Sequence, residues 1–491
     1  MNYNFQINTD YYQFLKDMAL TYKGVVVGTG IDPLEFYNTG RNIVQERILT
    51  IPDEDRAQHF GCLGTTGCGK TSIARCMVAQ DILLGRDVIV INAKPDPDLF
   101  STIIESAYVT NRMEEILFVS PVHPEESIQL NLLQYFAVPD ELIDHIVSGV
   151  RAKDEYYRNV AEEATRAIVG GLLVISKSKQ DNEIVLNPFE IKKWCSYDGF
   201  KELQKTLNYL TSHPDPEVRK GADEVLLIVN QIMGAPPDFF AKVSSSLRVT
   251  LSALSSFSTG KVVGRATQNE VIRRLENGEP LILYCDTGSL LARRTANTVA
   301  RVILSMIQAC MGRLLDKGKS FARPLCVYID EGHNTLYYGI QELFNKGRAA
   351  KLWLSFFTQS YSQMVQEIGQ ELTSSIVDNI STWLYMRLNK EDSPEIISES
   401  SPEIRRKHAL HDFPNGIYVP IIRESSGKLI PPEKIMSLPD RHFYLKKKGK
   451  FYRGCSIYVK PPEVLVDIDY SKVRDDIANI EKEFEFVGIE I

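Results

Sequence analysis

Long apolar runs are missing from this 491-residue sequence: the longest, residues 167–175, is broken by Gly170 and Gly171 and is far shorter than the ~20 residues a membrane-spanning helix needs. The expectation is a chain with no membrane span. Met1-Asn2-Tyr3-Asn4 lacks the basic and apolar regions of a signal peptide, and Gly488-Ile489-Glu490-Ile491 is not a prenylation signal. Closely paired cysteines are missing too. Eight are present, none in a C-x-x-C, and several sit inside apolar stretches, which argues against a zinc site and fits buried thiols in a reducing cytoplasm. The third absence is an excess of positive charge: 56 Lys+Arg face 63 Asp+Glu, for a net charge of −7. Such a surface does not simply coat duplex DNA. Any nucleic-acid contact must be local.

What the chain does have is Gly64-Thr65-Thr66-Gly67-Cys68-Gly69-Lys70-Thr71, a match to G-x-x-x-x-G-K-[ST]. Its surroundings fit as well. The apolar Phe60-Gly61-Cys62-Leu63 precedes it as a strand, and Ser72 followed by Ile73, Cys76, Met77 and Leu84 continues it as a helix closed by Gly85. Glycines let backbone N–H groups converge on phosphate oxygens, Lys70 adds a mobile charge, and the Thr71 hydroxyl can ligate Mg²⁺. Residues 64–72 are therefore the candidate nucleotide site. Cys68, inside that ring of donors at a helix N-terminus, is expected to be an unusually acidic and reactive thiol.

Around this loop the strand signals alternate with helix signals, as in a parallel α/β sheet. Gly24-Val25-Val26-Val27-Gly28, Val88-Ile89-Val90-Ile91-Asn92 and Ile116-Leu117-Phe118-Val119 read as strands. From about residue 139 to 260 strand signals nearly vanish and helical spacing takes over, with 14 Lys+Arg against 17 Asp+Glu. This reads as an all-α insertion, not a basic clamp. The α/β pattern resumes at Leu281-Ile282-Leu283-Tyr284-Cys285-Asp286 and reaches Pro324-Leu325-Cys326-Val327-Tyr328-Ile329-Asp330-Glu331, an apolar strand ending in two carboxylates. In P-loop proteins such a pair holds the metal (Asp330) and polarises the attacking water (Glu331). Two more strands are expected over 352–359 and 382–388, then an irregular, mobile connection over 391–440 rich in Ser, Pro and charge, then a hairpin turning at Gly449. From Val466 onward eight acids face three bases. The expected division is a lead-in over 1–50, a nucleotide-binding part over 51–138, the insertion over 139–260, a second nucleotide-binding part over 261–465, and an acidic tail over 466–491.

Four blocks taken together resemble the type IV coupling proteins of conjugation and secretion, the TraD/TraG group of RecA-like DNA translocases. They are residues 64–71 after His59, Asp330-Glu331, Gly347-Arg348 seventeen residues after Glu331, and Gln359-Ser360-Tyr361-Ser362-Gln363. The resemblance spans about residues 25–460. It implies a RecA-like P-loop core, ATP and Mg²⁺ as cofactors, a homo-hexameric ring, and single-stranded DNA or a relaxase–DNA complex as cargo for a secretion channel. It further implies that Arg348 is an arginine finger reaching a neighbour's nucleotide and that Gln359 senses the γ-phosphate. The implied location is cytoplasmic, peripheral at the inner membrane through partners. A HerA/FtsK-like translocase or another secretion ATPase shares these motifs, and a substrate receptor that uses ATP turnover as a reset is the alternative of another kind.

Overall fold

The computed structural model describes residues 9–35, 45–94, 96–151, 155–179, 184–234, 236–389, 394–412 and 419–457. The acidic tail lies outside them, as does part of the lead-in. Thirteen strands are present among the described residues: β1 Gly24–Ile31, β2 Arg47–Pro52, β3 Phe60–Leu63, β4 Asp87–Asn92, β5 Ile116–Val119, β6 Ile282–Asp286, β7 Leu325–Ile329, β8 Leu352–Thr358, β9 Thr382–Tyr385, β10 Glu403–Asp412, β11 Val419–Lys428, β12 His442–Lys447 and β13 Lys450–Ser456. Eleven of them form one sheet in the order β2-β1-β13-β12-β9-β3-β8-β7-β4-β6-β5.

From β9 to β5 the neighbours are parallel; the terminal hairpin β12–β13 and the N-terminal β1–β2 extend the sheet antiparallel. The parallel part is the RecA-like α/β core expected from the alternating pattern. Its strands are buried on both faces, so they read as continuous apolar runs and not as alternation. Successive residues nevertheless enter different cores. Val88 and Val90 pack with Ile73, Met77 and Phe100, while Ile89 and Ile91 pack on the opposite face with Ile303, Leu354 and Phe356. Helix Lys70–Leu83 is buried on nearly every side, its polar Arg75, Gln80 and Asp81 included.

The segment after residue 138 is helical, as its spacing requires: Pro139–Ser148, Glu155–Ser178, Pro188–Lys193, Tyr197–Leu210, Pro216–Met233 and Pro237–Ser255. Its buried Leu172, Leu203 and Leu251 belong to the same apolar cluster as one face of the sheet, so this helical part shares a core with the ATPase sheet. One helix, Ala292–Asp316, is long and apolar enough to cross a membrane, and most of it is buried within the protein. Residues 391–440 correct the expected irregular connection. Helix Pro394–Ser400, the long hairpin β10–β11 and helix Pro432–Met436 occupy the described part. Glu403-Ile404-Arg405-Arg406-Lys407 lacks apolar alternation, and the ribbon pairs only with itself, while Ile404 is buried in the main apolar cluster.

A buried ion network clamps the edge of the sheet away from the P-loop. Arg56 is fully buried and bonds Asp81 at 2.8 Å, Ser355 at 2.7 Å and Tyr328 at 3.1 Å. Arg86 holds the other Asp81 oxygen at 2.6 Å, and its guanidinium lies 5.0 Å from the Trp353 ring centre. Asp81 is thus held below the usual carboxylate range: burial opposes its charge, and Arg56 and Arg86 overcome that. Removing it leaves the fully buried Arg56 without its carboxylate and Arg86 with only the half-exposed Asp53, so Asp81→Ala should cost about 3–5 kcal/mol. Asp140→Ala, which breaks an exposed pair with Arg166, should cost less than about 1 kcal/mol. Urea unfolding of both variants checks the contrast; equal losses would refute it.

Two buried histidines set the acid limit. Burial lowers His59 to about 4 and His145 to about 3, with Arg56 and Arg313 adding to the shift. Each is neutral in the fold and free to charge once unfolded, near pH 6.5. Stability should be unaffected by them above that pH. It should fall by about 1.4 kcal/mol per histidine per pH unit as pH drops from 6.5 toward 4, a slope that unfolding at graded pH would show.

Candidate nucleotide site and active site

The order β3-β8-β7 places three parallel strand ends side by side, with Leu63 opposite Thr358 and Ile329 opposite Phe356. The P-loop follows β3, Gln359 follows β8 and Asp330-Glu331 follow β7. All three therefore meet at the carboxyl edge of the sheet, where open α/β sheets take their ligands. The loop is pinned from both sides: Gly64 N–H donates to Thr358 O at 3.3 Å and Thr65 N–H to Arg387 O at 2.9 Å. Gly69 sits at φ 113°, a conformation that L side chains rarely adopt. A Cβ on Gly64 would come within 2.6 Å of the Cys68 sulfur.

Lys70 folds back onto the loop and donates to Gly64 O at 2.5 Å and Thr65 O at 3.0 Å. Thr71 and Ser72 are half-buried at the helix start, and Thr66 and Gly67 are exposed. Across the loop, burial raises Asp330 to about 6, with the adjacent Glu331 adding to the rise and Lys70 opposing it. Glu331 has φ 48° and ψ 44°, a left-handed backbone that costs a non-glycine residue roughly 1–3 kcal/mol. Gln359 Nε2 donates to both of its carboxylate oxygens, at 2.8 and 3.0 Å. His333 Nδ1 lies 3.7 Å from the same carboxylate, and burial lowers the ring's pKa while Glu331 pulls the other way. Gly332 is required between them, because a Cβ there would meet the Phe356 ring at 2.3 Å.

Two sequence expectations fare differently. Arg348 is exposed and precedes β8, whereas Gln359 follows it. Seven strand residues at about 3.3 Å each separate the two positions, so Arg348 lies at the opposite sheet edge from its own P-loop. The expectation for the Cys68 thiol is overturned. Its side chain is 1% exposed and turned to Met386, 3.6 Å away; burial raises its pKa, outweighing Lys70. Only the Cys68 backbone faces the loop's ligand side. A maleimide should therefore label the partly exposed Cys455 before Cys68, which peptide mapping reads directly; faster labelling of Cys68 would contradict its burial.

Sequence reading assigned no role to the groups behind the carboxylates. Asn334 N–H donates to Glu331 O at 2.9 Å, Arg301 Nε donates to Asn334 O at 3.2 Å, and Arg301 also reaches Glu367 at 3.3 Å. No motif marks these residues, since they come from separate elements.

Residues 324–440, which include Asp330, Glu331, Arg348 and Gln359, match the family model described as the TraM recognition site of TraD and TraG. The TraD/TraG resemblance holds. The fold agrees: the unbound bacterial conjugative coupling protein TrwBdeltaN70 superposes with a TM-score of 0.63 at 14% identity, over 89% of this chain and 95% of that one. TrwB in complex with ADP and Mg²⁺ gives 0.61 at 14% identity, over 89% and 96%. VirB4 of Thermoanaerobacter pseudethanolicus gives 0.51 at 12% identity, over 89% and 97%. The search of curated proteins finds no match. At these identities the superpositions establish the fold; the TraD/TraG segment carries the closer kinship.

Proposed function

We propose that this chain is an ATP-hydrolysing motor of the coupling-protein type, which recruits nucleoprotein or protein cargo and drives single-stranded DNA toward a type IV secretion channel. The convergence of residues 64–72, Asp330-Glu331 and Gln359 on one sheet edge carries this reading. Kinship to TraD/TraG and to a fold whose solved members include ADP–Mg²⁺ and ATP-analogue complexes supports it. The residues fit a magnesium nucleotide. The Lys70 ammonium is met only by neutral carbonyls, and the Asp330 carboxyl is buried beside a second carboxylate. A triphosphate and a cation supply each with the charge it lacks.

In this reading the backbone of Gly64, Thr65, Thr66, Gly67, Cys68 and Gly69 cradles the phosphates, and Lys70 leaves the loop carbonyls to pair with them. Thr71 and Asp330 hold Mg²⁺ directly or through its waters, with Ser72 beside them. The ion spreads the charge of the phosphates and orients them. Glu331 accepts the proton of the attacking water as the water oxygen bonds to the γ-phosphorus and ADP leaves. Gln359 positions Glu331 and senses the γ-phosphate. Arg348 serves the site of the next subunit in a ring, taken as a hexamer. The cargo dock is assigned to residues 324–440, and the motor works in the cytoplasm, held at the inner membrane by partners.

The direct test is hydrolysis by the purified chain with and without single-stranded oligonucleotide. Stimulation by the strand supports the motor. Hydrolysis that responds only to cargo protein favours the receptor alternative, and absence of hydrolysis under every condition defeats both.

A further inference from the structure

Away from the P-loop, two adjoining cavities open between the helical segment and the helices that follow β6 and β8. The larger, about 440 Å³, is lined by Arg151, Arg294, Arg301, Asn297, Thr298 and Ser246 among others. The second shares Arg151 and Arg301 and adds Arg158, Tyr337, Tyr338 and Glu367. Their linings together hold four arginines and one glutamate, a basic island in a chain of net charge −7. Glu367 is shared, its two oxygens accepting from Arg151 at 2.5 Å and Arg301 at 3.3 Å. Arg294 is exposed and has no ion pair among the described residues. Charge surplus of this kind in a cavity calls for an oxyanion.

The second cavity favours a particular source of that oxyanion. Tyr338 is 60% exposed, with the Arg158 guanidinium stacked 3.7 Å from its ring centre. An exposed tyrosine ring backed by a largely buried arginine, beside three further arginines, is the arrangement that takes an unstacked base next to its own backbone phosphates. Duplex bases are not available for such stacking, and a free nucleotide would not need both cavities.

The cavities also connect, through two hydrogen bonds, to the backbone carbonyl of Glu331. Arg301 Nε holds Asn334 O, and Asn334 N–H holds Glu331 O. Glu367 lies on helix Tyr361–Asn379, which starts two residues after Gln359, the residue that occupies both Glu331 oxygens. We infer that this pair of cavities is a single-stranded polynucleotide site, taking phosphodiesters on Arg151, Arg294 and Arg301 and a base on Tyr338, and that its occupancy reaches Glu331 through Arg301–Asn334 and through the helix joining Glu367 to Gln359. A phosphate entering the cavity competes with Glu367 for its two arginines, and each arginine that shifts loads one of those two links. This rests on the motor reading, to which it adds the place where the strand is held and the route of stimulation.

The test uses the full chain and a fluorescein-labelled oligo-dT strand. Arg294→Glu and Arg151→Ala lie at the open side of the cavity and spare the buried Arg301, whose loss would endanger folding. Each should weaken strand binding and reduce the slope of log affinity against log salt by about 0.7 per phosphate contact removed. Tyr338→Ala should weaken binding about fivefold or more with the slope unchanged. In all three the fold stimulation of ATP hydrolysis by the strand should drop toward one. Wild-type affinity, slope and stimulation in all three variants would overturn the site and leave the motor reading standing. Failure of the wild-type chain to bind or respond to the strand would remove the inference and the motor reading together. A variant that keeps strand binding but loses affinity for a fluorescent ATP analogue would mark the cavity as a second nucleotide site, which also overturns the proposal.

Discussion

Glu331→Gln should bind ATP and turn over almost none of it, whereas Lys70→Ala should lose binding and turnover together. The difference follows from what each group meets. Lys70 is the only cation that the P-loop folds over its own carbonyls, so its ammonium serves the ground-state phosphates as well as the charge that develops in transfer. Glu331 makes no contact with the loop. Its carboxylate faces Gln359 and His333, and the task proposed for it is to accept a proton, which an amide cannot do. Gln is nearly isosteric with Glu, so the left-handed backbone at this position is no more strained in the variant than in the parent. Loss of a general base lowers rate by about 10²–10⁴. Phosphate release measured beside binding of a fluorescent ATP analogue separates the two variants, and a Glu331→Gln protein hydrolysing at the parental rate would refute the assignment.

Mixing two inactive variants should restore hydrolysis. Arg348 stands at the start of β8 while its own P-loop stands at the far end, roughly 20 Å away along the strand. It can complete a nucleotide site only if that site belongs to another copy. Each working site then needs Lys70 from one chain and Arg348 from the next. Either Lys70→Ala or Arg348→Ala alone should be nearly inactive, since an arginine finger is worth about 10³–10⁵ in rate. In a head-to-tail ring assembled from equal amounts, about a quarter of the interfaces pair an intact P-loop with an intact arginine. Hydrolysis should therefore rise above that of either variant, even where translocation stays lost because consecutive sites must fire. Exchange of subunits is established separately by co-purification through a tag on one variant. With exchange shown and hydrolysis unrestored, Arg348 has no role in trans.

The P-loop and the two carboxylates were legible in the sequence because local geometry determines them. A strand, a glycine turn and a helix start must be contiguous to gather N–H groups on one phosphate, and a carboxylate must directly follow a buried strand to stand at its edge. The helical segment was legible for a similar reason, since 3.6-residue spacing survives wherever a helix covers a core. The parallel strands showed themselves as apolar runs, being buried on both faces. Other features depend on partners far along the chain. The ribbon β10–β11 was hidden because its Arg405-Arg406-Lys407 run shows no apolar period. Arg56, Asp81 and Arg86 look like ordinary surface charges until the fold buries them against Tyr328 and Ser355. Cys68 appeared exposed to its own loop's field, but a rotamer toward Met386 put the sulfur in the core, where burial outweighs the dipole. The sequence by itself determined which residues could cradle a phosphate and hold a metal, because those requirements are met within a few consecutive residues. Only the tertiary structure decided that Gln359 holds Glu331, that Arg348 faces away from its own site, and that Arg151, Arg158 and the helix carrying Arg294 and Arg301 share one cavity system, because strand order and helix packing set those distances.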